Sequence, residues 1–285
     1  MYALIISLLS SLAVGFYIKY LKIKNIKDLF LFVFANYIVA IVLTFVLFNA
    51  QINTTNIIKA FSVNTVVLGM LMPTIFYILN KSLQLSGLAK TDIFQRMSLI
   101  IPVLLSFFIF NEIFTWNKLV AIALSFISIV LLLYKKSTKD GKFNIIYLLA
   151  VFIGYGIIDT LFKILATNKT IPYIVSLFVI FIICGFVSLL YLLFSKGSAH
   201  FKNFLYGTLL GLLNFSNIYF YMKAHKIFFE TPTLVFITMN LGVIIGGTFI
   251  GKFYFKEKIS KSALIGIFTA IISVVLLALI QLHIL

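Results

Sequence analysis

Arg96 is the only arginine in the sequence, and it lies in an apolar run long enough to span a membrane. A guanidinium group binds carboxylate or phosphate through two parallel hydrogen bonds. Because a charge in lipid is costly, an ionisable residue within a span indicates a functional site. Arg96 and its neighbour Gln95 are therefore predicted to bind substrate. The alternative is an ion pair with Asp92, one turn earlier, with the Arg96 side chain reaching the membrane surface.

A second pair of ionisable residues lies further along the chain, where Asp159 and Lys163 are one helical turn apart. At this spacing the two charges can neutralise each other. A buried carboxyl group can instead carry a proton, because burial stabilises its protonated form. Two interpretations of Asp159 stay open, a proton-coupling residue or one member of a structural pair.

Amide and hydroxyl side chains recur at helical spacing in two other apolar runs. Because amides in lipid need hydrogen-bond partners, both stripes are predicted to face inward and to line a substrate cavity. Hydrogen bonds that only hold the helices together are the alternative. The stripes are Tyr77, Asn80 and Gln84 in one run and Asn214, Asn217 and Tyr221 in the other; Asn36, Tyr37, Tyr155 and Asn240 are further candidates.

Two prolines, Pro73 and Pro102, are predicted to lie in the middle of helices. Proline there frees a carbonyl group and kinks the axis, so both are hinge candidates. Glu112 and Glu257 are expected to cap or anchor helix ends beside lysines. The histidines are scattered, so neither a metal site nor a cofactor is predicted.

These side chains must be positioned by helices within a membrane. With 62% hydrophobic and 11% charged residues, the composition excludes a soluble globular protein. Ten apolar runs are each near the roughly 20 residues that a spanning helix needs. The predicted fold class is an all-α integral membrane protein with ten transmembrane helices, at 2–18, 29–48, 63–84, 91–110, 116–134, 143–162, 171–194, 204–222, 231–253 and 262–282.

The net charge of +16 comes from lysines in the short gaps between these runs. Such lysines contact lipid headgroups and set topology, so nucleic acid is not an expected partner. No zinc-protease helix or nucleophile elbow is present, so an enzyme is not expected. No nucleotide-binding loop is present either, so an ATP-driven pump is not expected. The expected partners are a small-molecule substrate, membrane lipids and a proton or counter-substrate, and the expected assembly is a monomer or homodimer.

The chain contains an internal repeat. Residues 112–133 align with residues 257–278 without a gap, and the identical pairs include Glu112 with Glu257 and Ser128 with Ser273. Because each half has an odd number of crossings, the second copy enters the membrane from the opposite side. Inverted repeats of this kind occur in secondary transporters. The predicted halves are residues 1–137 and 143–285.

The duplicated unit consists of SLIIPVLLSFFIFNEIFTWNKLVAIALSFISIVLL and NLGVIIGGTFIGKFYFKEKISKSALIGIFTAIISVVLL. It resembles the drug/metabolite transporter superfamily in its ten-helix EamA-like branch, and the resemblance covers nearly the whole chain. The family typically has glycine before the glutamate, where this sequence has Asn111 and Lys256. The second copy also has Gly246 and Gly247 where the first has Ile101 and Pro102.

The resemblance implies a multi-pass protein of the plasma (inner) membrane. The expected function is secondary transport of a small polar metabolite (amino acid-, sugar- or nucleoside-like) by alternating access between the two inverted repeats. The first alternative is a lipid-linked carrier flippase, and the second, less favoured one is an intramembrane enzyme. The lysine distribution predicts both termini outside, whereas the resemblance implies cytoplasmic termini, so the orientation stays open.

Overall fold

A computed structural model describes residues 1–23, 29–133, 144–194, 201–254, 256 and 259–282. Within these ranges all regular secondary structure is helical. The helices are α1 (Tyr2–Ile23), α2 (Leu29–Phe48), a short 3-10 helix (Asn49–Gln51), α3 (Thr54–Ala60), α4 (Val63–Ser86), α5 (Leu88–Met97), α6 (Ile100–Phe108), α7 (Trp116–Leu133), α8 (Ile145–Ala166), α9 (Tyr173–Phe194), α10 (Phe201–Ile227), α11 (Pro232–Phe253) and α12 (Lys261–Gln281).

Nine stretches of the described residues are long and apolar enough to cross a membrane. They comprise α1, α2, α4, α5 together with α6, α7, α8, α9, α11 and α12. Large apolar side chains such as Leu9, Leu104 and Phe186 stay exposed along them, as lipid contact requires. The chain is therefore an all-helical membrane protein. The helix α10 is not among the nine because its polar side chains lower its hydropathy, so the tenth span stays a prediction.

The predicted span at 91–110 corresponds to one candidate span, Lys90–Phe108, but its helix is not continuous, since the structure divides it into α5 and α6. The break falls at Ser98 and Leu99. Pro102 has no N–H for the Ser98 carbonyl, and its ring would clash with that group in a continuous helix. The Ser98 hydroxyl donates to the Gln95 carbonyl at 2.6 Å, which also competes with the helical pattern. Pro102 therefore lies in the first turn of α6, whereas Pro73 lies inside α4 as predicted.

The helix α3 was not predicted. The Asn53 side chain caps it by accepting a hydrogen bond from the Asn56 amide at 2.8 Å. At its other end Ala60 is buried against Val175 and Val179 of α9. The signal in the sequence is the capping asparagine, which a search for long apolar runs passes over.

The chain forms two compact units, each built from both predicted halves. The first unit contains Met1–Phe76 and Leu161–Lys226, and the second contains Tyr77–Thr160 and Ile227–Leu285. The chain passes between the units within α4 and within α8. The repeat boundaries, 1–137 and 143–285, stay a prediction.

In the first unit α2 packs antiparallel to α9. Phe30 near the start of α2 contacts Tyr191 near the end of α9, with ring centroids 6.0 Å apart. Phe45 near the end of α2 contacts Phe178 near the start of α9, at 6.1 Å. These are the second and seventh predicted spans, which occupy equivalent positions in the two halves.

In the same unit α10 approaches α2 at two glycines spaced four residues apart. A Cβ atom at Gly211 would lie 2.7 Å from the Val39 Cβ and 2.8 Å from the Asn36 carbonyl oxygen. A Cβ atom at Gly207 would collide with the Phe32 carbonyl group. Only glycine allows this close approach, which is the usual small-residue packing of membrane helices.

In the second unit α7 and α12 pack together through two reciprocal hydrogen bonds. The Ser128 hydroxyl donates to the Gly266 carbonyl at 2.7 Å, and the Ser273 hydroxyl donates to the Ala121 carbonyl at 2.7 Å. Ser128 and Ser273 are equivalent in the sequence repeat, and so are Ala121 and Gly266. As the chain advances along α7, the partner position retreats along α12, so the two equivalent helices run antiparallel.

Candidate functional site

In the second unit, charged candidates gather around Arg96. Its Nε lies 3.6 Å from a carboxylate oxygen of Asp92, one turn earlier on α5, which is the ion pair that the spacing predicts. That separation exceeds a hydrogen bond, and the buried Nε has no hydrogen-bond partner among the described residues. The Arg96 side chain is 20% exposed. It is thus a partly accessible cation with an unused donor.

The helix α8 brings Tyr155 and Asp159 to this group. Arg96, Asp159 and Asp92 all lie close enough to Tyr155 to act electrostatically on its hydroxyl group. The structure therefore brings together three of the predicted substrate and coupling residues, Arg96, Tyr155 and Asp159. Their roles stay predictions. We call Asp92, Arg96, Tyr155 and Asp159 the arginine cluster.

The other predicted substrate-binding residues of the second unit do not form a cluster of this kind among the described contacts. Tyr77 is exposed, with the Lys81 ammonium 5.8 Å from its ring centroid, while Asn80 is partly buried. The Asn240 amide donates to the Phe236 carbonyl of its own helix at 3.2 Å. Gln95 is partly buried beside Arg96, and Gln84 is exposed.

In the first unit, the predicted amides hold helices together. Asn214 donates to Asn36 at 3.1 Å, which joins α10 to α2. The Ser7 hydroxyl contacts Asn217 at both its backbone oxygen (3.0 Å) and its side-chain oxygen (3.1 Å), which joins α10 to α1. Interhelical bonding was the alternative to cavity lining for these residues, and it describes the observed contacts. The Asn36 side-chain nitrogen is buried and has no hydrogen-bond partner within the described ranges.

Lys163 of α8, which the sequence predicts as a partner of Asp159, is buried beside the C-terminal part of α10. Lys163 is 1% exposed, and its ammonium lies 3.5 Å from the His225 carbonyl oxygen. A cation at the C-terminal end of a helix is favourable. The Tyr221 ring packs edge-on against His225, with centroids 4.6 Å apart. Tyr37 is also fully buried. The predicted pairing of Lys163 with Asp159 stays a prediction.

Glu112 occupies a buried site between three elements of the second unit. It is 5% exposed and forms a 3.2 Å ion pair with Lys118 at the start of α7. Its carboxylate also accepts hydrogen bonds from the Thr233 hydroxyl (2.6 Å) and the Thr233 amide (3.2 Å) in the first turn of α11. The side chain of Thr231, the N-cap residue of α11, forms no capping hydrogen bond. Glu112 thus supplies the anionic cap of another helix, beside a lysine; Glu257 lies outside the described residues.

The residues before the two repeated glutamates share an unusual backbone conformation. Asn111 has φ of 52° and Lys256 has φ of 55°, both in the left-handed region. Glycine adopts this region without a steric cost, whereas other residues pay for it. This geometry explains why glycine is typical of the position before the glutamate. Asn111 and Lys256 adopt the same conformation at a steric cost.

Comparison with known proteins supports this fold and class. Residues 1–134 match the model of the EamA-like transporter family. The chain is 37% identical over 276 residues to an uncharacterised protein of Haemophilus influenzae (strain ATCC 51907 / DSM 11121 / KW20 / Rd), and the alignment covers 94% of each chain. A protein solved by crystallography has the same fold, with a TM-score of 0.76 over 99% of this chain and 97% of that one, at 14% identity. Residues 1–134 therefore form an EamA-like transporter family domain, and the predicted resemblance is confirmed.

Proposed function

We propose that this protein is a secondary transporter, rather than an enzyme, for a small polar metabolite (amino acid-, sugar- or nucleoside-like) in the plasma (inner) membrane. It works by alternating access between two inverted five-helix repeats, and a proton or counter-substrate supplies the energy. The observation that carries the proposal is the arginine cluster, in which a membrane-span arginine keeps a buried donor unused. Membrane proteins keep such residues for substrates and ions.

The inverted repeat is supported by the helix pairs within each unit. Repeats of opposite orientation require equivalent helices to run in opposite directions wherever they meet. The pairs α2 with α9 and α7 with α12 both run antiparallel. The reciprocal serine bonds have the form that a local two-fold axis between α7 and α12 produces.

The helix α10 serves as the tenth span. Its 27 residues are about 40 Å long, which exceeds the roughly 30 Å of a hydrocarbon core. Its polar side chains find partners on neighbouring helices, since Asn214 bonds Asn36, Ser216 bonds Ser10 and Asn217 bonds Ser7. Satisfied polar groups cost far less in lipid than free ones.

Arg96 binds an anionic or polar oxygen group of the substrate. Its fork offers donors that Asp92 does not saturate at 3.6 Å. Asp159, in the same cluster, is the candidate for the coupling proton. Pro73 is the hinge candidate, because it removes one helical hydrogen bond of α4 one turn before the chain passes into the second unit. Pro102, at the break between α5 and α6, is the second hinge candidate.

The test is a thermal-shift screen of the purified protein against amino acids, sugars, nucleosides and organic acids, followed by uptake into liposomes. A ligand that binds only the folded state raises the melting temperature. We expect one class to do so and Arg96→Gln to weaken its binding about tenfold to a hundredfold, the value of a hydrogen bond to a charged group. Lys59→Gln, which removes an exposed lysine of α3, is the charge-matched control.

Three results would contradict the proposal in different ways. A ligand bound equally by Arg96→Gln and wild type would remove Arg96 from the site. Uptake without any pH or counter-substrate dependence would exclude secondary transport. Movement of a lipid-linked sugar with no soluble cargo would replace the metabolite transporter with a flippase.

A further inference from the structure

Three aromatic rings of the first unit surround the ammonium group of Lys223. The Lys223 nitrogen lies 5.1 Å from the ring centroid of Tyr2 on α1, 5.8 Å from that of Tyr219 and 6.0 Å from that of Phe220. All three distances lie within the range of a cation–π interaction. We call Tyr2, Tyr219 and Phe220 the amine cage.

The cage is held in place by a wider aromatic cluster. Tyr219 stacks on Phe48 at the end of α2, with centroids 5.1 Å apart, and on Phe215 at 6.0 Å. It also contacts Tyr173 at the start of α9, at 5.9 Å, and Phe220 edge-on at 4.9 Å. Four helices thus contribute rings at one end of this unit. Walls fixed before a ligand arrives lower the cost of binding.

The cage is accessible as well as ordered. Tyr2 is 55% exposed, and Tyr219, Phe220 and Lys223 are partly exposed. Lys226 has one ring within this range, Tyr173 at 5.6 Å, whereas Lys223 has three. These three rings, two of which carry hydroxyl groups, together form a receptor for an alkylammonium ion.

We propose that the amine cage binds the ammonium group of a primary amine and that Lys223 occupies the cage itself in this conformation. A primary ammonium satisfies both features of the cage, because its charge faces the rings while its N–H groups donate to the tyrosine hydroxyls. The same group occurs on free amines and on the ethanolamine headgroup of a lipid. An incoming amine displaces Lys223 and releases its side chain, so binding is coupled to a change at the end of α10. The site is distinct from the arginine cluster and does not depend on transport of any particular substrate.

The test uses n-butylammonium, which reproduces the Lys223 side chain, and its uncharged analogue butan-1-ol. In Lys223→Ala, butylammonium should raise the melting temperature saturably, at about a tenth of the concentration that wild type requires, because the internal competitor is gone. Butan-1-ol should have no such effect. Lys226→Ala, which removes the neighbouring lysine, is the matched control and should behave like wild type. Adding Tyr219→Leu to Lys223→Ala should abolish the response.

Two lipid compositions separate the sources of the amine. In nanodiscs of phosphatidylglycerol, Lys223→Ala should respond to butylammonium. If phosphatidylethanolamine nanodiscs suppress that response, the natural ligand is the lipid headgroup; if they do not, it is a soluble amine. The proposal is overturned if Lys223→Ala binds butylammonium no better than Lys226→Ala, if butan-1-ol acts equally well, or if wild type shows no saturable binding at any concentration.

Discussion

At the scale of single residues, Glu112 performs a task usually given to an N-cap side chain. Thr231 forms no capping bond, and the carboxylate reaches Thr233 from a segment more than a hundred residues away in sequence. A negative charge at this position complements the helix dipole of α11. The same charge neutralises Lys118, which is only 6% exposed. The Glu112 side chain therefore ties together the start of α7 and the start of α11, while its backbone amide bonds to the Ser106 carbonyl of α6.

Removing the Glu112 carboxylate should be severely destabilising. Glu112→Ala leaves Lys118 buried without its counter-ion, a change that costs about 3–5 kcal/mol. The melting temperature of the purified protein in detergent measures the effect. Adding Lys118→Met should restore part of the loss, because the stranded charge is removed. Glu230→Ala, at an exposed carboxylate just before α11, is the control and should change little.

The left-handed residues predict a gain in stability. Lys256→Gly should raise the free energy of unfolding by up to about 1 kcal/mol, since glycine relieves the Cβ clash that costs an L-residue here. Asn111→Gly should gain less, because asparagine tolerates this conformation better. In contrast, Lys252→Gly within the last turn of α11 should lower stability by about 1 kcal/mol. Equal melting temperatures for Lys256→Gly and Lys252→Gly would show that the left-handed conformation of Lys256 carries no backbone strain.

At the scale of elements, close packing between helices rests on specific small residues. Gly207 and Gly211 let α10 approach the backbone of α2, and Asn214 continues the same contact with Asn36. Gly247 on α11 is different, because a Cβ atom there would meet nothing within 4 Å. Glycine therefore has a packing role in α10 that it does not have at this position of α11.

Alanine substitutions should distinguish the packed glycine Gly207 from the unpacked glycine Gly247. Gly207→Ala forces α10 away from α2 and should cost about 1–3 kcal/mol, the usual penalty for overpacking. Gly247→Ala has open space and should be neutral or stabilising by up to about 1 kcal/mol through helix propensity. Thermal unfolding of both variants is the measurement. If Gly207→Ala were as stable as Gly247→Ala, the contact between α10 and α2 would be looser than described.

At the scale of the whole molecule, the number of crossings decides the topology. Nine candidate spans would place the termini on opposite sides of the membrane, whereas α10 as a tenth span returns the C-terminus to the side of the N-terminus. The lysine distribution and the family resemblance differ on which side that is. One experiment can determine both whether the termini lie on the same side and which side that is.

Reporter fusions at each terminus should report the same side. Alkaline phosphatase is active only outside the cytoplasm. Green fluorescent protein fluoresces only when it stays in the cytoplasm, because it does not become fluorescent after export in an unfolded state. We expect both termini to give the same reporter result, because α10 is long enough to cross and its polar groups are paired. Opposite results for the two termini would leave α10 outside the count of spans and would remove the inverted repeat. The control is a fusion within 109–115, between α6 and α7.

Much of the fold could be predicted because a membrane span is a local property. The bounds of α2 were predicted to the residue, and other spans to within a few residues, from apolar runs of the necessary length. The break between α5 and α6 was missed, although its causes, Pro102 and Ser98, stand in the sequence. The short helix α3 was missed because seven residues cannot be recognised by length.

The sequence by itself determined the class of protein, the approximate spans and the repeated glutamate, since each follows from composition or from matching two stretches of chain. Only the tertiary structure decided which polar groups meet. Ser7 contacts Asn217, and Glu112 caps a helix that begins far along the chain. The physical reason is that a helix apolar on all sides has no hydrophobic face to reveal its rotation or its neighbour. Which side chains become partners therefore depends on packing that no single span encodes.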